Sequence, residues 1–241
     1  MNTANSIVIL IPAKNEEDSI AQVLGDLKAR FPYPIVVIND ASTDNTVAIA
    51  QQAGARVLTL SISLGAWGAI QTGLRYALRE GFEIAITMDA DGQHEADSLP
   101  ALLAPIMTRK ADVTIGAFTQ RGSFARHVAW SLFRKLSGLN LEDLTSGLRA
   151  YTSPAIRLLA SPAATLLDYQ DMGVLMLLQR AQLRIQEVPI SMRPRLLGKS
   201  RIFSSWWAVS NYMLYTAILC LAHGTHYFRK HKCPIKSPQP F

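Results

Sequence analysis

The chain has 241 residues, enough to bury one sizeable core, and no polar linker long enough to split it into two domains. Lys and Arg total 24 against 18 Asp and Glu. Arg193, Arg195, Lys199, Arg201, Arg229, Lys230, Lys232 and Lys236 crowd the C-terminal part, which suits an anionic partner. The two cysteines, Cys220 and Cys233, have no metal-type spacing and no partner pattern, so a reducing compartment is expected.

The first apolar run, Ile7–Ile11, lacks a basic flank and meets Pro12. It predicts a buried strand and not a signal peptide. Further β-branched runs at Ile35–Ile38, Arg56–Leu60, Ile84–Met88 and Val113–Gly116 predict strands, each continuous enough to be buried on both faces. Between them, Ile20, Val23, Leu24 and Leu27 recur at helical spacing, as do Ala69, Gly73, Tyr76 and Ala77. This alternation predicts an α/β fold built on an open, mostly parallel sheet. The second half changes character, with a helix over Arg126–Ser137, a polar turn at Asp143–Gly147, and strands at Leu148–Tyr151 and Ile185–Ile190.

In open parallel sheets ligands sit beyond the carboxyl ends of the strands. The loops there hold Lys14–Glu17, Asp40–Asp44 and Asp89–His94. Alternate residues of an extended chain project to the same side, so Asp89 and Asp91 can face one cation, with Gln93 adding a neutral oxygen. Hard oxygen donors in an incomplete shell suit Mg2+ or Mn2+. Alone, Asp-x-Asp-Gly reads as a turn after a strand; Glu16 and Asp40 after two other strands favour a functional site, because three acidic clusters at one edge would repel one another without a cation. No Gly-x-Gly-x-x-Gly follows the first strand and no Gly-Lys-Ser/Thr phosphate loop occurs, which argues against a dinucleotide-dependent redox enzyme and an ATPase.

Six blocks in order resemble the inverting glycosyltransferases with the GT-A fold, and within them the dolichyl- and polyprenyl-phosphate sugar transferases. They are Ile11-Pro12-Ala13-Lys14-Asn15-Glu16-Glu17, Val37-Ile38-Asn39-Asp40-Ala41-Ser42-Thr43-Asp44, and Leu64-Gly65 with Gly68-Ala69-Ile70-Gln71-Thr72-Gly73. Met88-Asp89-Ala90-Asp91-Gly92-Gln93-His94 and Asp143-Leu144-Thr145-Ser146-Gly147-Leu148-Arg149 follow, then Glu187-Val188-Pro189 with Arg195-Leu196-Leu197-Gly198-Lys199-Ser200. The resemblance implies a GT-A domain (Rossmann-like, mostly parallel open sheet flanked by helices) over residues 1–202. It implies that Pro12, Ala13, Lys14, Glu16, Asp40 and Ala90 line the donor, and that Asp89, Asp91 and Gln93 hold the metal on its diphosphate. Arg195 and Lys199 would meet donor or acceptor phosphate. The chain departs from the family pattern at Lys14, Asn39 and Ser63, and Ala117-Phe118 follows Gly116 where Ser-Arg is expected; Arg121 and Arg126 are candidate substitutes.

A hydroxyl acceptor needs a general base, whereas a lipid phosphate is already ionised. Asp143 and Asp171 are the candidate bases, and Asp143 reads equally well as a turn-capping residue. The expected activity is therefore metal-dependent, inverting transfer from a UDP- or GDP-linked sugar to a polyprenyl phosphate at the cytoplasmic membrane face. The alternative is transfer to a saccharide hydroxyl in surface-polysaccharide assembly. Phe203–Ala222 carries no charge and is diluted by Ser204, Ser205, Ser210, Asn211 and Thr216, with Trp206, Trp207, Tyr212 and Tyr215 suited to a headgroup boundary. Residues 203–241 thus predict an amphipathic, membrane-associated helix with a basic tail, peripheral or monotopic; the alternative is a packed core or dimer helix, which leaves a homo-oligomer open. Nucleic acid is not an expected partner, since aromatics do not alternate with basic residues on a sheet.

Overall fold

The computed structural model of the protein describes residues 6–118, 141–165, 167 and 172–193. In chain order the main elements are β1 (Ile7–Ala13), α1 (Ile20–Lys28), β2 (Ile35–Asn39), α2 (Thr46–Gln52), β3 (Arg56–Thr59), α3 (Gly65–Arg79) and β4 (Ile84–Thr87). They continue with α4 (Leu99–Met107), β5 (Val113–Ala117), β6 (Arg149–Thr152), α5 (Ser153–Ala160), α6 (Met172–Arg180) and β7 (Ile185–Pro189). The strands form one seven-stranded sheet in the order β3-β2-β1-β4-β6-β5-β7. All neighbours are parallel except β6, which runs against both β4 and β5. The predicted α/β class and mostly parallel sheet are what the protein adopts.

Two-residue periodicity explains the layering. Ile7, Ile9 and Ile11 of β1, with Ile35 and Val37 of β2, point to one face and pack with Ile20, Leu24 and Leu27 of α1 and Leu99 and Leu102 of α4. Val8, Leu10, Val36 and Ile38 point to the other face, against Trp67, Ile70 and Leu74 of α3 and Ile156 and Leu159 of α5. The sheet is therefore a filled layer between two helical layers. Helix α3 lies close on β1 and β2 because Gly73 has no side chain; a Cβ there would come within 2.9 Å of Ile38 Cδ1 and 3.2 Å of Leu10 Cδ1.

One expectation is corrected. The run Arg56–Leu60 is not buried on both faces: β3 is an edge strand, with Arg56 and Thr59 exposed and Val57 and Leu58 only partly covered. An edge has a neighbour on one side only, and Arg56 instead lies over the Tyr76 ring at 5.0 Å.

The order of the strands also fixes where a site can form. From β1 the chain moves outward through β2 to β3, then returns through α3 to enter β4 on the other side of β1. This reversal opens a crevice beyond the carboxyl ends of β1 and β4. Leu10 is fully buried at the centre of the sheet between β2 and β4, so Leu10→Ala is expected to cost about 2–5 kcal/mol of stability in a urea titration. A change under about 0.5 kcal/mol would contradict the packing described.

Candidate active site

Asp40 follows β2 directly and is 4% exposed. Its carboxylate accepts the Ser63 hydroxyl at 2.7 Å and the backbone N–H groups of Leu64 at 2.6 Å and Gly65 at 3.1 Å. Those N–H groups begin α3, where helical geometry leaves donors unpaired and partial positive charge accumulates. Lys14 donates from Nζ to the same Ser63 hydroxyl at 2.8 Å. Asp40 is thus compensated by its own chain, and the expected mutual repulsion of three acidic clusters does not extend to it.

The loops after β1 and β2 are laced into one platform. Asn15 N–H donates to Ser42 Oγ at 2.9 Å, and Asn15 Oδ1 accepts the Thr43 N–H at 2.8 Å. Glu16 N–H donates to Thr46 Oγ1 at 2.8 Å, while Glu17 Oε2 accepts both the backbone and side-chain N–H of Asn45 at 3.0 Å. The Glu16 side chain accepts the Ser19 hydroxyl at 3.1 Å. Asn15 (φ 51°) and Ala41 (φ 55°) both adopt the left-handed conformation. For alanine this costs roughly 1–2 kcal/mol, and the lacing around it supplies the compensation that keeps such strain at a site. Burial opposes ionisation of Asp44, but hydrogen bonds from the Thr46 hydroxyl and backbone and from Glu17 N–H outweigh it, so its carboxyl lies below the usual range.

Asp89 and Asp91 follow β4 on the other side of the crevice. The Asp89 side chain is 42% exposed, so one part of it faces solvent while another is held by protein. It rests on Gly147, where a Cβ would fall inside the carboxylate itself. His94, with its side chain fully buried, places Nε2 3.3 Å from Asp89 Oδ2. Asp91 Oδ1 accepts the Gln93 N–H at 3.1 Å, and the Gln93 carbonyl accepts the Arg193 N–H at 2.8 Å. Ala90 is buried in the core, and the chain turns at Ala90 and Asp91 instead of continuing extended as the sequence alone predicts.

The turn beneath Asp89 is built from within. Asp143 is 2% exposed; Oδ1 accepts the Thr145 N–H at 3.1 Å and hydroxyl at 3.2 Å, and Oδ2 accepts the Phe118 N–H at 3.3 Å. Arg149 is fully buried and donates to the carbonyls of Ser146 and Leu144, each at 2.9 Å. Thr87 Oγ1 donates to the Gly147 carbonyl at 2.9 Å. Glu187 accepts the Asp143 N–H at 2.7 Å and the Glu142 N–H at 2.7 and 2.8 Å. Burial pushes its carboxyl up, the two N–H bonds pull it down, and repulsion from Glu142 and Asp143 adds to the rise.

The fold therefore brings Pro12, Lys14, Glu16 and Asp40 to one side of the crevice and Asp89, Asp91 and Gln93 to the other, with Ala13 and Ala90 buried in the core beneath them. Asp143 belongs to the turn and not to the crevice surface. Arg121, Arg126, Arg195, Lys199, Asp171, the helix expected over 126–137 and the tail from 203 lie outside the described residues. Among the described residues no group of three or more His, Cys, Asp or Glu is placed to hold a metal ion. The donor set is the part-exposed carboxylates of Asp89 and Asp91, with the Gln93 amide oxygen two residues on. It fits a hard divalent cation that completes its shell from substrate oxygens. His94, Gly147 and Glu187 carry structural weight at the site that their residue types alone do not announce. The signal was their position inside three of the six blocks.

A family model described as glycosyl transferase family 2 matches residues 8–160. The chain is 33% identical over 216 residues to an undecaprenyl-phosphate mannosyltransferase of Micrococcus luteus, covering 81% of this chain and 87% of that protein. It is 28% identical over 216 residues to a polyprenol monophosphomannose synthase of Mycolicibacterium smegmatis, covering 82% and 81%. The fold is shared with glucosyl-3-phosphoglycerate synthase from Mycobacterium tuberculosis, solved with Mn2+, UDP-glucose and phosphoglyceric acid. That match has a TM-score of 0.70 at 22% identity, over 90% of this chain and 80% of that one.

Two outcomes follow from this geometry. Gly147→Ala should displace the Asp89 carboxylate and lower turnover by roughly 100-fold, while unfolding by circular dichroism stays cooperative; unchanged turnover would mean that Asp89 does not need this seat. The depressed Asp44 makes the unfolded chain bind more protons there, so its stabilising increment is complete above about pH 5 and is lost as pH falls through and below the ordinary value of about 3.9. Urea midpoints at pH 6 and pH 3.5 should therefore differ less in Asp44→Asn than in the parent protein. The residual difference includes Asp112, which its hydrogen bond to Arg184 depresses in the same direction. An equal drop in both proteins would remove Asp44 from the acid sensitivity.

Proposed function

The chain belongs to glycosyl transferase family 2, and from that premise we propose that it moves a sugar from a UDP- or GDP-linked donor to a polyprenyl phosphate, with inversion at the anomeric carbon. The observation that carries the reading is the part-exposed pair Asp89 and Asp91, seated where the strand order reverses and opposite the laced platform of residues 14–17 and 40–46. Similarity over most of the chain to enzymes named for undecaprenyl-phosphate and polyprenol mannosyl transfer supports the acceptor class.

Each part of the crevice has a task in this chemistry. Pro12, Ala13, Lys14 and Glu16 offer a rigid wall for the nucleoside, and Asp40 holds the start of α3 beside it. Lys14, exposed and basic, supplies positive charge near the donor. Asp89 and Asp91, with the Gln93 amide, would hold Mg2+ or Mn2+. Such a cation, when bound, neutralises the charge that develops on the leaving nucleoside diphosphate. We assign Arg195 and Lys199 to the phosphate of acceptor or donor. They enter the chain just after Arg193, which is bonded to the Gln93 carbonyl.

Asp143 favours the lipid-phosphate reading over transfer to a saccharide hydroxyl. A general base must reach the proton it takes, yet both Asp143 oxygens are buried and engaged within the turn. An ionised phosphate acceptor needs no such base. The enzyme would work as a peripheral or monotopic protein at the cytoplasmic face, with residues 203–222 in the interface. Among the described residues no helix is long and apolar enough to cross a membrane.

The test is a competition assay with UDP- and GDP-sugars, Mn2+ or Mg2+, and either polyprenyl phosphate or an oligosaccharide as acceptor. A glycosyl polyprenyl phosphate of inverted anomeric configuration is expected. Transfer only to the oligosaccharide would replace this reading with the hydroxyl-acceptor one. In the same assay Asp91→Ala should lose at least about 100-fold in turnover, as expected for several kcal/mol of charge stabilisation, with its thermal midpoint retained. Normal turnover by that folded variant would remove the metal assignment.

A further inference from the structure

His94 stands apart from the other buried polar side chains. Its imidazole is wholly enclosed, its Nε2 faces Asp89, and its Nδ1 has no hydrogen-bond partner among the described residues. Unsatisfied buried polar atoms are uncommon in folded proteins. Among the described residues the bond made by the ring is the one to the Asp89 carboxylate at the mouth of the crevice. An ionised carboxylate only accepts, so the proton of that bond sits on Nε2.

The backbone of His94 is held as firmly as its ring. His94 forms an antiparallel bridge with Met192, and the neighbouring Gln93 carbonyl accepts the Arg193 N–H at 2.8 Å. The Arg193 guanidinium pairs with Glu95 and with Asp26 of α1, each at 3.3 Å. Arg30, just beyond the end of α1, pairs with Asp97 at 2.8 Å. Residues 93–97 are thus fastened on both flanks, and the imidazole cannot follow Asp89 if the carboxylate turns.

We propose that His94 is a positioning residue for the cation site: it fixes the rotamer of Asp89, with Gly147 as the seat beneath, so that the carboxylate is aimed at the cation before the cation arrives. The inference rests on reading Asp89 and Asp91 as cation ligands. Its physical content is that one oxygen of Asp89 is held by His94 while the side chain stays 42% exposed. Without the imidazole the carboxylate gains rotamer freedom, which each binding event must then remove. Outer-shell partners of metal ligands typically contribute about 10- to 100-fold in metal affinity.

The variants are His94→Met, which fills the space without a donor, and His94→Gln, whose amide N–H can replace Nε2. Mn2+ is titrated into each full-length protein with UDP present, and with GDP in a parallel series, with free Mn2+ read by electron paramagnetic resonance. The parent should bind Mn2+ and Asp91→Ala should not. His94→Met should then bind Mn2+ about 10- to 100-fold more weakly, His94→Gln should recover most of the loss, and metal-free UDP affinity should stay constant in both. Parent-like Mn2+ affinity in a folded His94→Met protein overturns the inference while leaving the cation site in place. Absence of Asp91-dependent Mn2+ binding in the parent overturns both. Should His94→Met fail to fold, 15N spectra of the parent decide: the inference requires the Nε2–H tautomer at His94 and a shift of that nitrogen on adding Mg2+ and UDP, absent in Asp91→Ala. A proton on Nδ1 overturns it.

Discussion

The seat of the Asp89 carboxylate is the constraint on which the site depends. Two stretches far apart in sequence have to meet there: the segment from the end of β4 through the loop at 93–94, and the turn at 143–147. A residue larger than glycine at 147 would occupy the carboxylate's own space, and the turn that presents Gly147 is held by Asp143, Arg149, Thr87 and Glu187 together. Much of the polar chemistry in the second half of the chain therefore serves to place one side chain in the first half. The antiparallel β6 makes this possible. It brings the chain back between β4 and β5, so that the turn preceding Arg149 ends beside the residues that follow β4.

The opposite wall of the crevice is stiffened by different means. Asp40 satisfies the start of α3, and side-chain to backbone bonds tie residues 15–17 to 42–46. Such a wall loses little conformational entropy when a nucleotide docks, so binding energy can go to positioning. Glycosyl transfer depends on orientation and charge control. A crevice between two braced walls, one carrying Asp89 and Asp91, suits those two demands.

How much of this was legible in the sequence follows from the range of each interaction. The β-branched runs report burial directly, and β1, β2, β4 and β5 formed where they stood; Arg56–Leu60 formed too, but its apolar content could not reveal that it would lie at an edge. Asp89-Ala90-Asp91 was readable because its geometry is local. Asp40 was recognisable as important, yet its bonds to residues 63–65 span more than twenty positions and turn an apparent free carboxylate into a helix cap. His94 and Gly147 were visible only as letters within family blocks. The contact of Gly147 with Asp89 depends on the reversal of β6, which no local pattern encodes, and the loop that turns His94 back onto Asp89 is tied to residues 192–193, about a hundred positions away. Asp143 carried two readings that local sequence could not separate; in the fold it is 2% exposed and bonded within the turn.

The most direct measurement is anomalous diffraction at the manganese edge from crystals of the full chain grown with Mn2+ and a nucleoside diphosphate. One strong peak is expected within roughly 2–2.5 Å of carboxylate oxygens of Asp89 and Asp91, on the side of Asp89 away from His94, with the nucleoside against residues 12–16. A nucleotide bound there with no cation at the pair, or a cation held elsewhere, would contradict the central claim.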